Sequence, residues 1–229
     1  MKVTPNALIN RVIKKFNLLL EDNTNLSSLY KKISEEGDII LFGGAVRDFY
    51  FNQNPRDYDI VINTTNHDIS GVFEGYCHYK NRFGGYKINV DNITFDIWTL
   101  PSTWAFNNNI LDCNVENLSK TVFFNIDSIA VNLTKSIIYE NGFFDALWYN
   151  NLEIVLQDNP CPELCVLRAL YFKYYRFFDL SEELDYYVYD WIKSCYNPLD
   201  RLTNVQNTHY GKDFFTTSML NSSILSYLK

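Results

Sequence analysis

Long apolar runs, cysteine pairs and an excess of positive charge are all missing from this 229-residue chain. No apolar run approaches the roughly 20 residues needed to cross a bilayer, so we expect no membrane-spanning helix. The N-terminal segment alternates apolar residues with Arg11, Lys14 and Lys15, unlike the apolar core of a signal peptide. We therefore expect a cytoplasmic protein. Hydrophobic residues still make up 47% of the chain, which excludes a disordered or fibrous protein.

The charge and cysteine counts exclude further classes. Lys and Arg number 20 against 27 Asp and Glu, a formal net charge of -7, which argues against a broad non-specific grip on nucleic acid and leaves room for a local basic patch. The five cysteines are an odd number and lack a Cys-x-x-Cys pair, and the three histidines have no Cys or carboxylate at ligand spacing. Neither a disulfide framework nor a zinc site is indicated.

The spacing of apolar residues changes along the chain. Helical spacing predicts one helix over Ala7–Leu20 and another over Leu26–Glu36, capped at Asn25 or Ser27. A helical segment is also expected within residues 66–73. Strands are predicted at Asp38–Phe42, Tyr58–Ile62, Tyr86–Val90, Ile93–Leu100, Ile126–Leu133 and Ser136–Tyr139, with a hairpin turn at Asp91-Asn92. Helices follow from Pro162 onward. We predict an α+β fold: a mixed β-sheet with flanking helices over residues 1–158, then a short all-helical region over residues 159–229.

Three aspartates are candidates for chemistry. Asp57 and Asp59 lie two residues apart at the start of a predicted strand, so their side chains point to the same face. Asp96 lies in a later apolar strand, where a lone charge is costly unless it is paired or binds a metal. Clustered hard oxygen ligands suit Mg²⁺, and two such ions can assist an in-line phosphoryl displacement. An Asp-x-Asp on its own is more often a turn or a solvated edge.

A glycine pair precedes these aspartates. Gly43 and Gly44 lie between a predicted strand and a predicted helix, where backbone amides can approach a triphosphate, and Arg47 follows in the first helical turn. The segment lacks the ending of a P-loop and the third glycine of a dinucleotide fingerprint. Between the carboxylate strands in sequence lie Lys80, Arg82 and Lys87, which could face substrate, although their interpretation as a solvated edge is favoured.

Two blocks carry a resemblance to a known family: LFGGAVRD at residues 41–48 and PRDYDIV at residues 55–61. They resemble the head-domain signature of the class II CCA-adding enzymes and bacterial poly(A) polymerases, in the polymerase β nucleotidyltransferase superfamily. A weaker resemblance extends over residues 38–180 and includes Leu167-Arg168-Ala169, which is similar to the family's neck helix.

The resemblance implies roles for particular residues. Asp57, Asp59 and Asp96 would be the catalytic residues and hold two Mg²⁺ ions, and Gly43, Gly44, Arg47 and Arg168 would contact the incoming nucleoside triphosphate. Asp48 would orient Arg47 or cap local backbone, with a ribose contact as the alternative. The first domain would be a nucleotidyltransferase head and the second a neck and body region.

The chain departs from the family pattern in two places. The family's second motif begins with two arginines and an aspartate, where this chain has residues 121–123 (TVF), and the motif's asparagine is Asp127. In the neck, Cys161, Pro162 and Cys165 stand where the family has an acidic pair and an arginine that template the base. Cysteine cannot supply an arginine fork, so the C-then-A selectivity of the family is not implied.

The sequence thus supports three hypotheses. The first is a metal-dependent nucleotidyltransferase that moves a nucleoside monophosphate to an acceptor hydroxyl, by resemblance a tRNA-like RNA 3′ end. The second keeps the chemistry but modifies a protein or a small molecule, which leaves room for a protein partner. The third is a non-catalytic nucleotide-binding or regulatory module. Base preference, acceptor identity and oligomeric state do not follow from the sequence.

Overall fold

The computed structural model describes residues 2–211 and 213–228 of the chain. Within them, two compact units are distinguished: one contains residues 2–122 and 127–143, and the other contains residues 123–126, 144–211 and 213–228. The boundary predicted after residue 158 differs from this division, because residues 144–158 group with the helical unit.

A mixed sheet forms the centre of the first unit. Among the described residues it has seven strands: β1 Asp38–Phe42, β2 Tyr58–Asn63, β3 His78–Lys80, β4 Tyr86–Val90, β5 Ile93–Thr99, β6 Ile129–Asn132 and β7 Ile137–Glu140. Their spatial order is β3-β4-β5-β2-β1-β6-β7. Strands β2 and β5 run parallel, and the other neighbouring pairs are antiparallel. The predicted α+β class with a mixed sheet is confirmed.

Helices α1 (Pro5–Glu21), α2 (Thr24–Ser34) and α3 (Gly44–Tyr50) flank this sheet. Helix α1 buries Leu8, Val12 and Phe16, the helically spaced stripe that predicted it. The ring of Phe16 lies 6.2 Å from that of Tyr58 on β2. Helix α2 begins two residues earlier than predicted, with Asn23 at its N-cap, so the prediction of Asn25 or Ser27 as the cap was wrong.

The opposite face of the sheet carries a second apolar cluster. Buried members come from the sheet and from the segment after β5, where helix α4 spans Trp104–Asn107. They are Ile40, Phe42, Val61, Leu100, Phe106, Leu118 and Ala130. Because side chains alternate along a strand, residues that share a face with Val61 and Phe42 include Asp59. This cluster therefore supports the position of the candidate carboxylates.

The hairpin of β4 and β5 is confirmed, and its turn residues explain it. Asp91 and Asn92 have φ angles of 51° and 65°, the left-handed conformation that a two-residue hairpin turn requires and that Asp and Asn tolerate. The sequence did not predict strand β3, whose three residues are exposed. The helical segment expected within residues 66–73 is limited to a single 3₁₀ turn at Ser70–Phe73.

The second unit is mostly helical. It contains α5 (Phe143–Tyr149, which begins at the last residue of the first unit), α6 (Pro162–Tyr175), α7 (Glu182–Ser194), α8 (Pro198–Tyr210), α9 (Thr217–Tyr227) and a parallel pair of two-residue strands, β8 (Asn151–Leu152) and β9 (Asp179–Leu180). Its core includes Val166, Leu170 and Leu184. No helix in the described ranges is both long and apolar enough to cross a membrane.

Candidate active site

Three charged side chains lie in one row across neighbouring strands. Asp59 on β2 pairs in register with Asp96 on β5, and Asp96 pairs with Lys87 on β4. The preceding row, Tyr58, Phe95 and Ile88, is buried and points to the other face. The alternation of the strands therefore collects these charges on one side of the sheet.

Lys87 is half-buried, so its interpretation as a solvated edge was wrong. Its Nζ lies 3.3 Å from Oδ2 of Asp96. Burial is the largest single influence on the pKa of Lys87 and lowers it, but the attraction and hydrogen bond of Asp96, together with the charges of Tyr79 and Asp57, leave this pKa raised. The prediction that Asp96 needs a partner in its apolar strand is thus met by a lysine that β4 brings opposite it. Lys80 and Arg82 are exposed, as expected.

Asp57 comes immediately before β2 and beside Asp59. Its Oδ2 accepts a hydrogen bond of 2.7 Å from Nη2 of Arg56. The Asp57 charge contributes to the electrostatics of Asp59, as the predicted common side of the strand requires.

The carboxyl group of Asp59 has a perturbed pKa. Burial raises its pKa to about 7, and repulsion from Asp57, Asp96 and Asp127 adds to this effect, while Lys87 opposes it. A carboxyl group with this pKa gains stability from a proton or from another cation beside it. Perturbation by desolvation together with specific charged neighbours is typical of functional sites.

The side chains of this group are of the chemical type that binds magnesium. Asp57, Asp59 and Asp96 offer hard carboxylate oxygens, and the raised pKa of Asp59 reflects a negative environment that a divalent cation would relieve. The side chains are nevertheless engaged elsewhere, Asp57 with Arg56 and Asp96 with Lys87. Within the described residues, no group of three or more His, Cys, Asp or Glu side chains is arranged to hold a metal. The roles of these three aspartates as ligands stay predictions.

The glycine turn lies next to this row. Phe42, the last residue of β1, pairs with Asp59, so Gly43 and Gly44 follow directly from the residue opposite that aspartate. Gly43 has a φ of 63°, which favours glycine, and its amide donates a 2.8 Å hydrogen bond to the Ile129 carbonyl. Helix α3 begins at Gly44, which confirms the predicted strand-to-helix turn.

Arg47 lies within a network of carboxylates. Its Nε and Nη2 donate to Oδ1 of Asp48 at 3.3 and 3.2 Å, in agreement with the predicted orienting role of Asp48. Its Nη1 donates to Oδ1 of Asp127, which is buried. The sequence marked Asp127 only as a departure from the family pattern. A signal was available, because an acidic residue in an apolar segment needs a cationic partner.

Arg168 lies on α6 in the second unit. Its guanidinium lies over the rings of Phe124 and Phe172, with distances of 5.2 and 5.9 Å to the ring centroids. Cys161 and Cys165 are on the same helix or at its N-cap, and burial raises the pKa of Cys165 to about 12, so this thiol is not prepared for reaction. The predicted nucleotide contact of Arg168 stays a prediction.

Residues 39–122 match the model of the poly A polymerase head domain. Poly(A) polymerase I of Haemophilus influenzae is 22% identical over 137 residues, which are 58% of this chain and 29% of the polymerase. A CCA-adding enzyme in complex with CTP is 18% identical, covers 86% of this chain and 55% of its own, and has a TM-score of 0.56. The Thermotoga maritima CCA-adding enzyme in complex with tRNA is also 18% identical, over 86% of this chain and 54% of its own, with a TM-score of 0.55.

These similarities support conclusions of different extent. At 18% identity the two solved structures establish the fold. The chain spans 29% of the length of the polymerase and about half the length of the two CCA-adding enzymes. The matched segment contains the glycine turn, Asp57, Asp59 and Asp96. The match of residues 39–122 to the poly(A) polymerase head-domain model confirms the resemblance found in the sequence.

Proposed function

We propose that the protein is a metal-dependent nucleotidyltransferase, which moves a nucleoside monophosphate from a nucleoside triphosphate to an acceptor hydroxyl. The observation that carries the proposal is the register of the sheet. It sets Asp59 opposite Asp96 on one side and opposite Phe42, the residue before the glycine turn, on the other. This strand pairing places residues suited to a metal next to residues suited to a phosphate.

The reaction is an in-line displacement at the α-phosphorus. The acceptor oxygen forms a bond to this phosphorus, the bond from the phosphorus to the oxygen that bridges to the β-phosphate breaks, pyrophosphate leaves and the hydroxyl proton is released. Gly43 and Gly44 would allow close approach of the triphosphate to the backbone, and Arg47 would supply a planar cation to its oxygens.

Asp57, Asp59 and Asp96 would hold Mg²⁺. When bound, the metal neutralises phosphate charge and polarises the reacting phosphoryl group. Lys87 would hold the Asp96 carboxylate in place, because its Nζ lies 3.3 Å from Oδ2 of Asp96. Arg168 is included as a nucleotide contact because residues 167–169 resemble the neck helix of the family.

We propose a tRNA-like RNA 3′ end as the acceptor, in a cytoplasmic setting. Support comes from solved neighbours in complex with tRNA and with CTP. The base preference is left open, since Cys161 and Cys165 stand at positions where the family carries polar templating residues.

The test identifies the molecule that receives the labelled nucleotide. The protein and its Asp57→Ala variant are incubated with each α-labelled nucleoside triphosphate, Mg²⁺ and an extract of small RNA and protein. Asp112→Asn is the matched control, because Asp112 is an exposed acid of the same unit outside the carboxylate row. We expect label on RNA with the wild type and with Asp112→Asn, and none with Asp57→Ala.

Other destinations would revise the proposal in defined ways. Label on protein or on a small molecule would keep the chemistry and replace the acceptor. Label transfer that persists in Asp57→Ala would reject the proposed role of the carboxylates. No transfer and no Mg²⁺-dependent nucleotide binding would identify a non-catalytic module.

A further inference from the structure

Arg47 is held by two carboxylates that have little exposure to solvent. The exposed fractions of the side chains are 18% for Arg47, 21% for Asp48 and 9% for Asp127. Charge-assisted hydrogen bonds between such groups are stronger than those between exposed ions, because water screens them less. The Arg47 guanidinium is therefore held in one place, and an anion that approaches it must compete with Asp48 and Asp127.

This network is packed against the glycine turn. A Cβ atom at Gly44 would lie 3.3 Å from Nη2 of Arg47, and a Cβ atom at Gly43 would lie 3.8 Å from the backbone carbonyl oxygen of Asp127. The guanidinium thus lies directly beside Gly44 and not out in solvent. A phosphate bound along this turn would meet Arg47 and Asp127 together.

Asp127 also acts on the carboxylate row. Its negative charge is one of the charges that repel the ionised form of Asp59. One buried aspartate is thereby in contact with the arginine proposed to bind phosphate and in electrostatic contact with an aspartate proposed to bind metal. Its charge opposes an incoming triphosphate both directly and by occupying Arg47.

We propose that Asp127 is a positioning residue that sets the affinity for the nucleoside triphosphate, because it holds Arg47 in an ion pair which the phosphate must share or displace. This inference rests on the proposed function, since it assumes that a triphosphate binds beside Arg47. Displacing Asp127 costs the loss of this ion pair at a buried carboxylate. A neutral side chain of the same shape at position 127 removes that cost.

Asp127→Asn is the variant that isolates the charge. Asparagine keeps an oxygen that can accept from Nη1 of Arg47, so the guanidinium stays oriented while the competing charge is lost. We expect the dissociation constant of CTP and of ATP to fall by about five- to tenfold, the scale of one partly buried ion pair. Asp127→Glu keeps the charge and should not show this gain.

The measurement is the nucleotide dissociation constant by titration calorimetry, in Mg²⁺ and again in EDTA, where the effect of Arg47 is separated from that of the metal. Steady-state transfer should show a lower KM with little change in kcat. The second half of the test is a double-mutant cycle: Arg47→Ala should abolish the gain from Asp127→Asn, which a purely structural role of Asp127 would not predict. Asp112→Asn serves as the neutral control.

Several results would overturn the inference. They are an unchanged or higher dissociation constant in a folded Asp127→Asn protein, and a gain that persists in the Arg47→Ala background. If the asparagine variant does not fold, Asp127→Ser, which also keeps a hydrogen-bond acceptor without charge, decides by the same criteria. Nucleotide binding by the wild type with no change in the variants would reject this inference alone, whereas no binding by any variant would reject the proposed function with it.

Discussion

The two units of this protein place charged side chains in different ways. In the first unit, sheet register brings Asp59, Asp96 and Lys87 into one row, and the pKa of Asp59 rises to about 7. In the second unit, helical packing surrounds Arg168 with aromatic rings, and the core is apolar. Grouping like charges lowers the stability of the first unit, whereas burial of apolar side chains stabilises the second. Substitutions in the charged row of the first unit should therefore affect activity, and substitutions in the apolar core of the second should affect folding.

The largest effect should come from removing the central carboxylate. Asp59→Asn should lower kcat by at least about a thousandfold, or about 4 kcal/mol, since a charged metal ligand contributes several kcal/mol to phosphoryl transfer. The same variant should fold at least as well as the wild type, because it removes a charge that its neighbours repel. Steady-state transfer assays and thermal unfolding measure the two quantities. An unchanged kcat would contradict the assignment of activity to the charged row of the first unit.

A core change in the helical unit should do the reverse. Leu170 is fully buried, so Leu170→Ala should lower the free energy of unfolding by about 2–5 kcal/mol through lost burial and a cavity. Urea unfolding followed by circular dichroism measures this loss. Leu225→Ala, at a half-exposed leucine of the same unit, is the matched control and should cost much less. Equal losses in both variants would contradict the account of the core.

The pH dependence of stability sharpens the comparison further. The folded pKa of Asp59 is about 7, above the ordinary value of 3.8, so the folded state holds a proton that the unfolded state has released between these values. The contribution of Asp59 is complete below pH 4, is lost as the pH rises toward 7 and is constant above it. In EDTA, the melting temperature of the wild type should therefore fall relative to that of Asp59→Asn across this window. Parallel curves would show that the Asp59 pKa is not raised.

A smaller effect is expected at Lys87. Lys87→Gln removes a positive charge that lowers the Asp59 pKa and pairs with Asp96, so the midpoint of the same pH transition should shift upward. The half-buried ion pair should contribute about 1 kcal/mol to stability. Thermal melts of Lys87→Gln and the exposed control Lys80→Gln across pH 4–8 test both statements. A shift of equal size in the control would assign the effect to overall charge.

Many of the elements followed from local patterns. The apolar stripe of α1 and the β-branched run of β2 are properties of nearby residues, and Asp91-Asn92 has the conformational tolerance that its turn needs. The three-residue strand β3 carries no such pattern, because an exposed edge strand buries no side chain that would impose one. The cap of α2 was misplaced by two residues, since several polar residues at its start compete for that position.

The candidate site followed the same division. Asp57, Asp59, the glycine turn and Arg47 are close in sequence, so their spacing was enough to group them. The contact of Lys87 with Asp96 could have been derived from the predicted hairpin, because a two-residue turn at Asp91-Asn92 places residue 87 opposite residue 96. The contact of Asp127 with Arg47 could not, because these residues are 80 positions apart and join elements that meet only in the folded chain.

The sequence by itself determined most of the elements, the resemblance to the poly(A) polymerase head domain and the candidate site residues, because periodicity, turn preferences and short motifs are local properties of the chain. Tertiary structure alone decided which charges from distant segments became neighbours. The parallel pairing of β2 with β5 sets Asp59 opposite Asp96, and the return of the chain at Asp127 supplies a second carboxylate partner of Arg47. Those choices depend on long-range pairing and on the burial of charge, so they raise the Asp59 pKa and set the competition at Arg47.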